Sequence, residues 1–294
     1  AALTACGGGA EGASGTVAID GSSTVFPLSN AAYELLQEEN PDIKATVGQA
    51  GTGGGFEKFC AGDTDLSDAS RPIDEEDEVP VCKENGVDYT ELHVATDALT
   101  VVVHPDLAVD CLTTEQLIQL WEPKSKVDNW QDLDPSFPDE EIALFGPGTD
   151  SGTYDYMAGD VIGAESETTR DDYEASEDDN VLVQGVAGTE GATGYFGYTY
   201  YEENTDKLKA LAIDDGNGCV EPSVETAQSG EYTPLSRPLF VYVNNKAYND
   251  TSAVKEFTDF YIDNLETIVE AAKFIPLNDE QLSETQDAHA SLSG

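Results

Sequence analysis

Phe145-Gly-Pro-Gly-Thr-Asp-Ser-Gly-Thr-Tyr-Asp-Tyr-Met157 is the stretch whose reading decides the fold. It follows Glu141-Ile-Ala-Leu-Phe145, a short apolar run that reads as a strand. It precedes Tyr154, Met157, Ala158 and Val161, which recur at helical spacing. The order is strand, Gly/Ser/Thr loop, helix start. The first N–H groups of a helix lack internal partners, and the helix dipole is positive there. Ser151 and Thr153 add hydroxyl donors, and Gly152 allows close backbone approach. Such a turn suits an oxyanion, although many turns of this kind only cap a helix.

The same design occurs twice earlier. Thr16-Val-Ala-Ile-Asp20 reads as a strand, Gly21-Ser-Ser-Thr24 turns it, and Pro27 sits near the first helical position, where its missing N–H does no harm. Leu28, Ala31, Ala32, Leu35 and Leu36 form one helical face. Ile43–Val47 is the next strand; Gly51-Thr-Gly-Gly-Gly55 follows, then Phe56, Phe59 and Cys60 on a helix. No Gly-Lys-Ser/Thr closes that loop, which speaks against a nucleoside triphosphate. Turns of this kind cluster at the carboxyl ends of strands in α/β sheets, where ligands bind. The expected fold class is therefore α/β.

Composition narrows the partners. The 294 residues are enough for two domains, and the net charge is −46, from 59 acidic and 13 basic residues. Nucleic acid and anionic membrane surfaces are excluded as partners on charge. The acidity reads as adaptation to high salt, since at about 1 M salt the Debye length falls to about 3 Å. No calcium loop of the EF-hand pattern, no His/Cys/carboxylate metal cluster and no apolar run of membrane-spanning length is present, so no metal or cofactor is expected.

There are five cysteines. Leu3-Thr-Ala-Cys6-Gly7, with a Gly/Ala/Ser-rich run to Gly15, resembles the end of a bacterial lipoprotein signal. It predicts a lipid on Cys6, a tether over residues 1–15, and a place in the periplasm or at the cell surface. The other four can pair in three ways. Keeping each pair within one domain favours Cys60–Cys82 and Cys111–Cys219. The domain reading places residues 16–98 and 237–294 in a first lobe and 99–236 in a second, with crossings near Thr96–Thr100 and on the strand Arg237–Val243. Asp65–Pro72 reads as a strand end running into a loop. Thr113-Thr-Glu-Gln carries a capping-box pattern. Trp121 and Trp130 read as core or rim residues, Tyr195–Tyr201 as a core segment, His93 and His104 as structural. Val254, Phe257, Tyr261, Leu265, Ile268 and Val269 mark a last amphipathic helical region.

Three such turns aimed at one point, with an arginine, would cage a small tetrahedral oxyanion. A carboxylate beside the anion would favour one that carries a proton, hence phosphate over sulfate. Gly-Ser-Ser-Thr-Val-Phe-Pro, Gly-Thr-Gly-Gly-Gly-Phe, Ser-Asp-Ala-Ser-Arg-Pro-Ile and Gly-Pro-Gly-Thr-Asp-Ser-Gly-Thr-Tyr-Asp-Tyr occur in family order. Together they resemble the phosphate-binding protein of the phosphate ABC transporter, the PstS family. The resemblance implies a two-lobed type II periplasmic-binding-protein fold, each lobe a mixed sheet flanked by helices, with the anion between the lobes and delivery to a membrane permease. It implies binding by Ser23, Thr24, Val25 and Phe26 from the first loop, Thr52 and Gly53 from the second, and Ser151, Gly152 and Thr153 from the third. Asp68 would accept the phosphate proton. Some members place the binding arginine four residues before the third-loop serine; that position is Pro147 here, so Arg71 is assigned the cationic role. A monomeric, non-catalytic phosphate carrier is expected. The alternatives are a protein for arsenate, sulfate, molybdate or phosphonate, or a phosphoester hydrolase using Ser151 or Thr24 as nucleophile.

Overall fold

A computed structural model describes residues 13–163 and 168–293. The tether and Cys6 lie outside the described residues. The strands are β1 (Gly15–Gly21), β2 (Ile43–Val47), β3 (Leu66–Ala69), β4 (Tyr89–Val103), β5 (Cys111–Thr113), β6 (Leu144–Pro147), β7 (Glu174–Ser176), β8 (Thr193–Gly197), β9 (Lys209–Ala210), β10 (Ala212–Asp214), β11 (Cys219–Val220) and β12 (Ser236–Asn244). The main sheet runs β2-β1-β3-β12-β4-β8-β6-β7, with β9 also on β4; β11-β10-β5 form a small second sheet. β1 is parallel to both β2 and β3, as strand–helix–strand crossovers require.

The fifteen-residue β4 organises the molecule. Its first part, Tyr89–Ala98, pairs with β12; from Leu99 on it pairs with β8. Each side of this division has its own core. Val17, Ile19, Leu28, Leu66, Val94, Leu239 and Phe257 pack on one face of the first half, and Phe56, Phe59, Cys60 and Tyr242 on the other. Leu99, Val101, Trp121, Trp130, Met157 and Tyr195 pack on one face of the second half, and Val102, Leu182, Val186 and Phe196 on the other. Both faces are covered, so these strands carry continuous apolar runs rather than alternation.

Three helices follow from local signals. α1 (Phe26–Glu39) begins with Pro27 in its first turn and buries Leu28, Ala32 and Leu36. α2 (Gly51–Ala61) ends at Gly62, whose φ of 83° stops the helix in the left-handed conformation. α3 (Val79–Glu84) is short and is tied to α2 by the Cys60–Cys82 disulfide. Cys111 pairs with Cys219, joining the small sheet's β5 and β11. The capping box at Thr113 forms, with Gln116 as its return partner.

Three local features differ from the sequence reading. The helix after the third loop spans only Gly152–Asp155 and then widens into a π-helix, Tyr156–Ile162. Residues Tyr195–Tyr201 split between β8 and a short helix, Tyr198–Glu202. The C-terminal helix Asp279–Ser291 gave no apolar stripe to read; of its residues only Thr285 is fully buried.

Candidate functional site

The turn after β1 is shaped by close backbone contact. Gly21 has φ 142°, and a Cβ there would come within 2.1 Å of the Asp68 carbonyl oxygen. Only glycine lets β1 and β3 end this close together. Ser22 then donates its N–H to that same oxygen (2.9 Å). Gly55 of α2 rests on Gly21, where an added Cβ would stand 2.5 Å from the Gly21 Cα. The second loop is thereby pressed against the first. Asp20 clips it further, accepting the N–H groups of Gly21 and Ala50 (2.9 Å each) and an ion pair from Lys58. Burial pushes the Asp20 carboxyl up, but Lys58 and the two N–H groups outweigh it and hold the pKa below the usual carboxylate value.

Two cavities flank the first loop. One, of about 470 Å³, is lined by Ser22, Ser23 and Thr24, by Ala50–Gly54 of the second loop, by Ser70, Arg71 and Arg237, and by Asp155, Gly159 and Asp160 from beyond the third loop. The other, of about 670 Å³, touches Ser23, Thr24 and Phe26, the third-loop residues Asp150–Thr153, and Asp97. Ser23 and Thr24 are the shared wall. The Thr24 Oγ1 donates to the Gly152 carbonyl (3.4 Å), and a Cβ on Gly152 would lie 2.8 Å from the Thr24 Cα. Ser23 donates to Asp155 Oδ2 (2.8 Å), a second direct link, from the first loop to the helix that follows the third.

Of the residues expected from sequence, Ser23, Thr24, Thr52, Gly53 and Arg71 line the smaller cavity; Ser23, Thr24, Phe26, Ser151, Gly152 and Thr153 line the larger. Val25 lines neither and is fully buried. The N–H groups of Val25 and Phe26 are turned inward onto the Ser22 carbonyl, at 3.2 and 3.0 Å, so the expected backbone donors of this loop close their own turn. Thr52 Oγ1 lies 3.1 Å from Ser70 Oγ and accepts the Ser70 N–H. Ser151 caps the third-loop helix by accepting the Thr153 N–H (3.2 Å).

Asp68, expected to face the anion, lines neither of these two cavities and is fully enclosed. Its strand, β3, is buried along its whole length, and alternation sends the Asp68 side chain toward α1. There Oδ1 accepts from Ser29 Oγ (2.8 Å), and Oδ2 has no hydrogen-bond partner among the described residues. Burial raises its pKa to about 7, against the pull of Ser29.

The sequence reading placed Arg237 only on a strand. It sits opposite Asp97 in the β12–β4 register, where the two halves of the sheet meet. Nε donates to Asp97 Oδ2 (3.2 Å), Nη1 to Asp160 Oδ2 (2.5 Å) and Nη2 to Thr24 Oγ1 (2.8 Å); the guanidinium carbon lies 3.6 Å from the Tyr156 ring centroid. Burial raises the Asp97 pKa even though Arg237 pulls it down. Arg71, by contrast, is gripped by Glu78 through both terminal nitrogens (2.8 and 2.7 Å). The signal that could have found Arg237 was scarcity: it is one of three arginines in the chain, at the head of the strand that returns to the first half.

The arrangement offers hydroxyls, the N-terminus of α2 and a guanidinium to a small anion, with carboxylates close by. Among the described residues no group of three or more His, Cys, Asp or Glu is placed to hold a metal, and no helix is long and apolar enough to cross a membrane.

Comparison with known proteins agrees in kind. Residues 8–264 match the PBP superfamily domain. The chain is 47% identical to protein SphX of Synechococcus elongatus over 89% of this chain and 77% of that one. It is 39% identical to the phosphate-binding protein PstS of Staphylococcus saprophyticus, over 97% and 88% of the two chains. A crystal structure described as a possible phosphate binding protein from Planctomyces limnophilus superposes with a TM-score of 0.91 at 45% identity, covering 96% of this chain and all of that one. A phosphate-bound substrate-binding protein of a putative phosphate ABC transporter from Clostridium perfringens gives 0.58 at 26% identity, over 90% and 100%. On these likenesses and on its two-halved α/β sheet, the chain belongs to the PBP superfamily and, within it, to the PstS family of solute-binding proteins.

Proposed function

We propose that this chain binds inorganic phosphate outside the cytoplasmic membrane and delivers it to the permease of an ABC transporter. The observation that carries the reading is the convergence of three Gly/Ser/Thr turns on Thr24: the first and second line one cavity, the first and third another, and Thr24 touches Gly152. The staphylococcal relative is named a phosphate-binding protein and the clostridial one holds bound phosphate, and the family is one of binding proteins rather than enzymes.

The lobes are residues 16–98 with 237–294, and 99–236. The change of β4's partner after Ala98 and the separate cores support this division. Ser23, Thr24, Thr52, Gly53, Ser151, Gly152 and Thr153 supply neutral donors. Asp155 and Asp160, which line the smaller cavity, take over the role expected of Asp68. A carboxylate facing a bound anion is tolerated when the anion brings a proton to share, as hydrogen phosphate does and sulfate does not. Arsenate has the same protonation chemistry and is the closest competitor. The chain acts as a monomer, tethered through a lipid on Cys6, in a high-salt medium; the lipoprotein-like Leu3–Gly7 and the charge of −46 support these last two points.

Calorimetric titration in high-salt buffer tests the reading. Phosphate is expected to bind with micromolar or tighter affinity, about −8 kcal/mol or better, and sulfate at least about a hundredfold more weakly. Equal binding of the two anions, or none, would overturn it.

A further inference from the structure

We propose that Arg237, and not Arg71, is the cationic ligand of the anion, and that the same guanidinium senses lobe closure. The assignment rests on the anion-binding reading above and adds to it a residue that the sequence motifs do not mark.

Three observations separate the two arginines. The first is placement. Arg71 belongs to the first lobe alone and is held by Glu78 of that lobe. Arg237 stands on β12 at the junction and touches both sides: Thr24 on one, Tyr156 and Asp160 on the other. The second is desolvation. The Arg237 side chain is 11% exposed and the Arg71 side chain 46%. A charge-assisted hydrogen bond is stronger where water is excluded. The third is donor geometry. Arg237 spends one N–H on each of Asp97, Asp160 and Thr24, which leaves one on each terminal nitrogen, whereas Arg71 Nη1 gives both of its N–H groups to Glu78 and the Pro72 carbonyl. Asp97, itself only 5% exposed, fixes the Nε edge, so the terminal nitrogens are the edge that faces the cavity wall formed by Thr24.

The second-lobe contacts come from the π-helix. Its wider turn presents the Tyr156 ring and the Asp160 carboxylate to one guanidinium, and π-helical turns recur at functional sites. Tyr156 is in turn fixed by its hydroxyl, which donates to the Pro234 carbonyl (2.7 Å) just before β12. An anion that takes Nη1 has to share it with Asp160 or displace it. Opening the lobes would strip Arg237 of Asp160 and Tyr156 together. Anion affinity and closure are therefore linked through one side chain.

The test is phosphate titration of the full chain and its Arg237→Gln, Arg237→Lys and Arg71→Gln variants in high salt, with small-angle scattering before and after phosphate. Arg237→Gln is expected to weaken phosphate about a hundredfold, and Arg71→Gln by less than about tenfold. Arg237→Lys keeps the charge but loses the planar fork, so its affinity falls between the two and its contraction on phosphate addition is smaller than that of the unaltered protein. Because Arg237→Gln strands the buried Asp97 carboxylate, circular dichroism checks its folding. Should it fail to fold, Arg237→Lys decides: affinity and contraction equal to the unaltered protein overturn the assignment. A larger loss for Arg71→Gln than for Arg237→Gln overturns it too. If the unaltered protein binds no phosphate, the functional reading falls first and this assignment with it.

Discussion

Asp68 shows how far one residue can be moved by its strand. Its motif reads as part of an anion site, yet pleat alternation buries its carboxyl beside Ser29, under α1. The consequence is a pH-dependent penalty. The carboxyl titrates near its ordinary value of 3.8 when the chain is unfolded and at about 7 when it is folded. Between those values the folded state holds a proton that the unfolded state has released, so stability falls as pH rises through the window. Asp68→Asn removes the titration while keeping the shape. Its melting temperature should gain on that of the parent between about pH 4 and about pH 8, by several degrees. A difference that stays constant across that range would mean the carboxyl is not buried as described. Arg237 is the opposite case: nothing adjacent in sequence marks it, and only the register of β12 on β4 brings Asp97 to it.

At the scale of elements, the site depends on α2 lying hard against the end of β1. Gly55 makes this contact: an added Cβ would meet the Gly21 Cα at 2.5 Å, Ser67 Oγ at 3.0 Å and the Asp20 carbonyl at 3.2 Å. Backbone cannot swing aside as a side chain can. Gly55→Ala should therefore push α2 outward, costing about 1–3 kcal/mol of stability. Because Thr52 and Gly53 ride on the first turn of α2, phosphate affinity should fall as well. Chemical denaturation and calorimetry on the same variant check both effects; unchanged stability with unchanged affinity would show that α2 has room to spare. The turns themselves were legible in the sequence, since glycine and hydroxyl residues between an apolar run and a helical stripe have few other uses. The inward turn of the Val25 and Phe26 N–H groups was not, because it depends on where the Ser22 carbonyl points.

Across the whole molecule the strongest long-range force is self-repulsion. A net charge of −46 on 294 residues opposes any compact state in dilute salt. Raising KCl from about 0.1 M to about 2 M shortens the screening length from about 10 Å to below about 3 Å. The melting temperature should rise by on the order of 10 °C over that range. The rise should shrink near about pH 4, where many carboxylates are protonated. A melting temperature indifferent to salt at neutral pH would contradict this account of the acidity.

The sequence by itself determined the α/β class, the three Gly/Ser/Thr turns, Pro27 in the first turn of α1, the capping box at Thr113 and the net charge. Each of these is a local property: periodicity, a residue's own backbone preference, or a count of charges. The tertiary structure alone decided which carboxylates face the cavity, which arginine spans the junction and where Asp68 goes. Those outcomes turn on strand register and on which face of a buried strand a side chain takes, and both are settled by packing between segments far apart in the chain.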